Sequence, residues 1–179
     1  MPSYTRLVNK SHPLDPDYIP CDLTETQIPF QAAPGDPKRL LRARAAQAAQ
    51  ELFQRARHMR LQLSGVSGYR SYKRQEEIYR QSDSGLVAPP GCSEHQTGLA
   101  LDVSCAAVNY ELEESFALTR EGKFLADYGP MYGFILRYPK GKEKITGYAW
   151  EPWHIRYVTK TLSLYLSLIN LTLEEYYQL

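Results

Sequence analysis

The chain has 179 residues, enough for one compact domain with a sizeable core. Hydrophobic residues make up 43% and charged residues 23%, which excludes a wholly disordered chain and a collagen-like repeat. With 21 Lys+Arg against 20 Asp+Glu, the net charge of +1 creates no overall field that would favour nucleic acid.

Residues 1–37 contain seven prolines, each of which removes a backbone donor and restricts its predecessor. This stretch reads as an extended wrapping segment, because Leu7, Val8, Leu14, Ile19, Leu23, Ile28 and Phe30 give it side chains to bury. It contains no apolar run of the secretory type. No part of the chain approaches the ~20 continuous apolar residues of a membrane span. A cytoplasmic location is expected, with the cell envelope or secretion as the alternative if a leader has been removed.

The globular domain is expected over 38–179. Its clearest helix is predicted over 38–63, where Leu41, Ala45, Ala49, Leu52, Ala56, Met59 and Leu63 recur every three or four residues. Asp36-Pro37 supplies the start signal. Lys38, Arg39, Arg42, Arg44, Arg55, Arg57 and Arg60 form a basic face, read as solvated and offset by the acidic stretch 111–121. A short strand over 65–69 and a helix over 71–81 follow. The loop 82–93 is punctuated by Gly85, Pro89, Pro90 and Gly91. A buried strand is predicted over 99–103, and a helix over 119–132 that Gly129-Pro130 must bend or end. Strands over 133–138 and 154–158 flank a turn-rich stretch, and 162–179 reads as helix. Cys21, Cys92 and Cys105 form an odd set without metal-type spacing and are read as free, a Cys92–Cys105 bridge being the alternative in an oxidising compartment. The pattern as a whole predicts a single α+β domain with a small, mainly antiparallel sheet and helices packed on it.

Three segments carry chemistry: SGYRSYKRQ (67–75), CSEHQTGLALD (92–102) and EPWH (151–154). His95 lies just before one predicted strand, Asp102 lies on it, and His154 opens another. If the two strands are neighbours, two imidazoles and a carboxylate converge. Three N/O ligands with an open fourth position describe a catalytic zinc site, although such ligands also suit other divalent metals. Glu151, three residues before His154 with Pro152 between, is placed to face water at that ion without being a ligand and to act as general base. Gly98 and Ala100 are read as small residues that let backbone or substrate approach the metal. Trp153 reads as core, and His12 and His58 as surface residues without ligand spacing.

The pattern S-x-H-x-x-G-x-A-x-D, formed by Ser93, His95, Gly98, Ala100 and Asp102, resembles the motif of the LAS zinc metallopeptidases, a group that includes D-alanyl-D-alanine peptidases and the hedgehog domain. LVNKSHPL, SGYRSYKRQ, PGCSEHQTGLALDVS, YGFILRYPKGKEKITGYAWEPWHIRYV and LTLEEYY narrow it to the vancomycin-resistance D,D-carboxypeptidases and their L,D-carboxypeptidase relatives. The resemblance implies one zinc ion held by His95, Asp102 and His154, with Glu151 as catalytic base. It also implies a substrate pocket lined by Arg70, Gln75 and Ser93. An arginine fork suits a terminal carboxylate, or it can meet the tetrahedral oxyanion, and both roles stay open for Arg70. The expected activity is removal of the terminal D-Ala from peptidoglycan stem peptides ending in D-Ala-D-Ala. The alternatives are L,D-carboxypeptidase action on tetrapeptides or a dual D,D-dipeptidase and carboxypeptidase. A zinc-bearing binding module without catalysis is disfavoured by Glu151 and the Arg70/Gln75 pair. Trp150 departs from the Tyr of many relatives.

Overall fold

The computed structural model describes residues 4–82 and 87–178; the expectations for Pro2, Gly85 and Leu179 lie outside the described residues. Strands β1 (Leu23–Glu25) and β2 (Leu40–Arg42) pair antiparallel as a small ribbon. Four further strands, β3 (Ser64–Ser67), β4 (Ala100–Ser104), β5 (Phe134–Leu136) and β6 (His154–Tyr157), make an antiparallel sheet in the spatial order β3-β4-β6-β5. Every residue of the two central strands, β4 and β6, is buried, so polar side chains on them must find partners inside the protein.

Helix α1 (Ala43–His58) buries Ala45, Ala49, Leu52 and Ala56 in the main core, a cluster that also holds Leu101, Val103 and Phe134 of the sheet. Leu52, without exposure, contributes about 1.5–3 kcal/mol by its burial alone. The helix is shorter than the 38–63 predicted from apolar spacing. Asp36-Pro37 does start a helical turn, with Asp36 Oδ1 accepting from the Lys38 N–H at 2.8 Å, but it is a 3₁₀ turn that ends at Arg39. Beyond it the backbone turns to sheet pairing: β2 joins β1, and the carbonyls of Lys38 and Leu40 accept from Gly68 and Tyr69. At the other end Arg60 takes a φ of +58°, and Leu61 and Leu63 reach the core as extended chain. Arg42 leaves the basic face altogether. It is 2% exposed, lies over the Tyr4 ring and pairs with Asp22 at 2.7 Å.

Helix α2 (Tyr72–Gln81) starts where predicted, with the Ser71 hydroxyl accepting from the Arg74 N–H. Helix α3 (Arg120–Tyr128) is capped by Thr119 and gives way at Gly129-Pro130 to a 3₁₀ turn. The turn-rich stretch holds one helical turn, α4 (Glu143–Thr146). The expected C-terminal helix is two, α5 (Lys160–Leu168) and α6 (Leu173–Gln178), separated at Asn170 with a φ of +54°. Thr172 and Glu175 form a reciprocal capping box that starts α6 anew. The three cysteines are free. Among the described residues no helix is long and apolar enough to cross a membrane.

Candidate metal centre and cleft

Strands β4 and β6 are neighbours, and their register sets Asp102 opposite His154. His95 stands on a 3₁₀ turn (Glu94–Thr97) that leads into β4. Gly98 closes that turn with a φ of +65°, and a Cβ there would meet Leu23 Cδ2 at 2.7 Å. The space behind Gly98 is therefore filled by Leu23 and Arg42. The expectation that Gly98 lets backbone or substrate approach the metal is corrected: the nearest atoms there belong to Leu23 and Arg42, and the glycine serves the turn and its packing on β1 and β2.

These elements bring His95, Asp102 and His154 together, their ligand atoms all within 4.8 Å of one another and all three side chains buried. His95 Nε2 is 3.2 Å from Asp102 Oδ2, and His154 Nδ1 is 2.9 Å from Asp102 Oδ1. His95 Nδ1 lies 2.6 Å from the Gly68 carbonyl oxygen, which can only accept, so Nδ1 carries the proton and Nε2 offers its lone pair inward. A donor set of two nitrogens and a carboxylate, with an imidazole fixed by a backbone acceptor, fits a divalent ion such as zinc.

Burial pushes the His95 imidazole toward neutrality, as a ligand requires. Burial also opposes charge on Asp102, but the two imidazoles outweigh it and hold the carboxyl well below its usual range. His154 is raised to about 10: burial works against its charge, and its hydrogen bond to Asp102, with the nearby carboxylates of Glu94 and Glu151, prevails. Glu151 lies with Oε2 3.8 Å from His154 Nδ1. Burial, reinforced by Asp102 and Glu94 against the pull of His154 and Arg70, lifts its carboxyl to about 7.

All of these side chains line one cleft of about 230 Å³, together with Arg70, Gln75 and Ser93. Arg70 donates from Nη1 to Gln75 Oε1 at 2.8 Å and from Nη2 to Ser67 Oγ at 3.2 Å. One N–H of the Gln75 amide donates to the Ala88 carbonyl at 2.7 Å, which ties Gln75 to the loop before Gly91. Ser93 is buried at the cleft wall, two residues before His95. Trp153 is only half-buried, touching the main core with one side and the cleft with another. Cys92 is buried and its carbonyl accepts from the Tyr148 hydroxyl.

Sequence reasoning missed Tyr138, Tyr148 and Glu94. The Tyr138 ring lies 4.9 Å from the His154 ring and 4.8 Å from that of Tyr148, forming an aromatic wall; Tyr69, by contrast, borders a second cavity beside Arg70. Glu94 is fully buried, with Oε1 accepting from Arg137 at 2.7 Å and from Arg156 at 2.6 Å. Arg137, which follows the apolar run FIL, and Arg156, which lies within IRYV, hint that a buried anion is needed, but nothing local to Glu94 identifies it as that anion.

Residues 38–160 match the family model described as VanY, D-alanyl-D-alanine carboxypeptidase. The chain is 44% identical to the putative carboxypeptidase YodJ of Bacillus subtilis over 96% of this chain and 66% of YodJ. It is 41% identical to the D-alanyl-D-alanine carboxypeptidase of Enterococcus faecium over 62% of this chain and 34% of that protein. It therefore spans about two thirds of the one relative and about a third of the other. The bifunctional dipeptidase and carboxypeptidase VanXYC of Enterococcus gallinarum is 36% identical, with 96% of this chain and 92% of that one covered. Among solved structures, the LdcB LD-carboxypeptidase superposes with a TM-score of 0.92 at 44% identity, covering 96% of this chain and 84% of that one. A zinc complex of the VanY D,D-pentapeptidase gives 0.76 at 29% identity, covering 97% and 98%.

Proposed function

The chain belongs to the VanY D-alanyl-D-alanine carboxypeptidase family, and we propose that it is a zinc-dependent carboxypeptidase that removes the terminal D-alanine from peptidoglycan stem peptides. The observation that carries this reading is the convergence of His95, Asp102 and His154 beside a carboxyl raised to about 7, at the floor of a cleft that also holds an arginine. His95 through Nε2, Asp102 and His154 through Nδ1 would hold one zinc ion. When bound, that ion supplies Lewis acidity and eases deprotonation of water near neutral pH.

The chain's own residues supply the rest. Glu151, poised near neutrality, takes a proton from the attacking water and returns it to the leaving amine of D-alanine. Arg70, its guanidinium held by Gln75 and Ser67, offers its fork to the terminal carboxylate of the substrate. Ser93 adds a hydroxyl at the same wall. Tyr138 and Tyr148 exclude water from one side of His154. A catalytically silent zinc module would have no use for Glu151 at that place.

Two readings of the penultimate residue have support. The family model and the similarity to VanY favour D,D cleavage of pentapeptides ending in D-Ala-D-Ala. The TM-score of 0.92 and 44% identity to LdcB favour L,D cleavage of tetrapeptides, and on that match the L,D reading takes first place. Incubating the zinc-loaded protein with pentapeptide, tetrapeptide and free D-Ala-D-Ala separates them, with released D-alanine followed by mass spectrometry. Release from the tetrapeptide alone supports L,D cleavage and release from the pentapeptide alone supports D,D cleavage. No release from any of the three, with zinc bound, overturns the enzymatic reading.

A further inference from the structure

The geometry points to Glu94 as a positioning residue for the metal centre, whose Oε2 receives the Nε2–H of His154 and so keeps Nδ1 of that ring free for the ion. The inference rests on the ligand set proposed above and concerns a side chain that needs no contact with substrate.

Two buried atoms face each other without any hydrogen-bond partner, Glu94 Oε2 and His154 Nε2, 3.7 Å apart. That separation is too long for a hydrogen bond and short enough for one to form by a small tilt of the ring. Meanwhile Asp102 Oδ1 sits 2.9 Å from His154 Nδ1 and invites the ring proton to the nitrogen that must bind metal. In the singly protonated ring that a metal ligand must be, the two carboxylates compete for the imidazole, Asp102 for a proton on Nδ1 and Glu94 for a proton on Nε2. Only the second arrangement leaves Nδ1 a lone pair to donate.

Glu94 can play this part because its charge and orientation are fixed. Arg137 Nε and Arg156 Nη1 both donate to Oε1, which turns Oε2 toward His154. The cations are anchored in turn. Arg137 makes a two-pronged pair with Glu174 of α6, at 2.8 and 2.6 Å, and Asn9 donates to the same carboxylate. Arg156 reaches the carbonyls of Tyr4 and Arg6. Residues Tyr4, Arg6 and Asn9 and the α6 residue Glu174 are thereby tied to the two arginines that hold Glu94.

Glu94→Gln tests the role with little change in shape. Two arginine donors require the amide oxygen of the new side chain where Oε1 was, so its NH₂ must face His154 Nε2. An NH₂ there donates, makes Nε2 an acceptor and drives the proton onto Nδ1. Zinc affinity, read by competition with a chromophoric chelator, should fall about 10- to 100-fold. Glu174→Gln removes a buried charge from the same Arg137 but leaves Glu94 in place, and its zinc affinity should stay within threefold of the parent. Equal losses in the two variants, or a folded Glu94→Gln protein with unchanged affinity, would overturn the assignment. Proton spectra of the zinc-loaded protein provide a readout apart from affinity. The His154 Nε2–H should give a sharp, slowly exchanging downfield signal in the parent that is lost or shifted upfield in Glu94→Gln, and absence of that signal in the zinc-loaded parent would refute the inference. A parent that shows this signal with zinc bound yet hydrolyses none of the three peptides would count against the enzymatic reading and leave the role of Glu94 standing.

Discussion

Gln75 holds Arg70: the guanidinium donates to the amide oxygen at 2.8 Å, while the amide nitrogen is tied to Ala88 at 2.7 Å. Both ends of a buried glutamine thus help to aim an arginine into the cleft, and its effect on catalysis is expected to pass through Arg70. Truncating Gln75 to Ala releases the fork from that hold. A loss of up to about 10²-fold in kcat/KM is expected, falling mainly on KM if Arg70 grips the substrate carboxylate. Steady-state kinetics on the preferred stem peptide measures the split; an unchanged kcat/KM would show that Arg70 needs no such support.

Glu151→Gln keeps the shape of the side chain and removes its ability to accept a proton. Turnover should drop by about 10²–10⁴-fold, while zinc affinity stays within a few-fold because Glu151 is no part of the ligand set. Single-turnover rates and chelator competition on the same preparation check both halves. A variant with near-parent turnover would transfer the base to another group.

The metal-free protein should show Glu151 in its pH dependence. Its folded carboxyl is raised to about 7, above its unfolded value, so the folded state binds the extra proton between the two. Its effect is neutral below the unfolded value near 4.3, destabilises increasingly as pH rises from there to about 7, and levels off above that. Glu151→Gln is free of that cost. Its urea midpoint relative to the parent should therefore climb from pH 4 to pH 8, by on the order of 1 kcal/mol or more. A constant difference across that range would mean that the Glu151 carboxyl is not raised.

The elements that hold the ligands were legible because their signals are local. Leu99 to Val103 reads as a buried strand on its apolar run, and Ser71 announces α2 by its cap. His95, Asp102 and His154 could be grouped only on the condition that two strands adjoin, which the register of Asp102 against His154 meets. What escaped was set by distant partners. Residues 38–42 continue the apolar period of α1, yet β1 and the amides of Gly68 and Tyr69 take their carbonyls and amides for sheet pairing. Arg42 looks solvated in any helical wheel, and only Asp22 and Tyr4 make its burial affordable. Glu94 was hidden for the same reason, since its cations come from strands that lie 43 and 62 residues further along. The Thr172–Glu175 capping box, by contrast, was written in LTLEE and marked the break that apolar content obscured.

The closest backbone approach beside the metal centre occurs at Gly68. A Cβ there would stand 2.6 Å from the Lys38 carbonyl oxygen and 2.7 Å from that of Leu40, and neither can swing away as a side chain would. The Gly68 amide also donates to Lys38, and its carbonyl fixes the tautomer of His95 at 2.6 Å. Gly68→Ala must therefore push the end of β3 off β2 and carry the His95 acceptor with it. Stability should fall by about 1–3 kcal/mol, as overpacking does, and zinc affinity should fall alongside it. Gly129→Ala is the matched control. Its backbone is already helical, with a φ of −46°, and the new Cβ would find nothing nearer than 3.6 Å. That variant should be neutral or more stable by about 0.4–1 kcal/mol, with zinc binding unaffected. Thermal and urea unfolding with chelator competition compare the pair; if both alanines behave alike, Gly68 is not what keeps β3 and His95 in place.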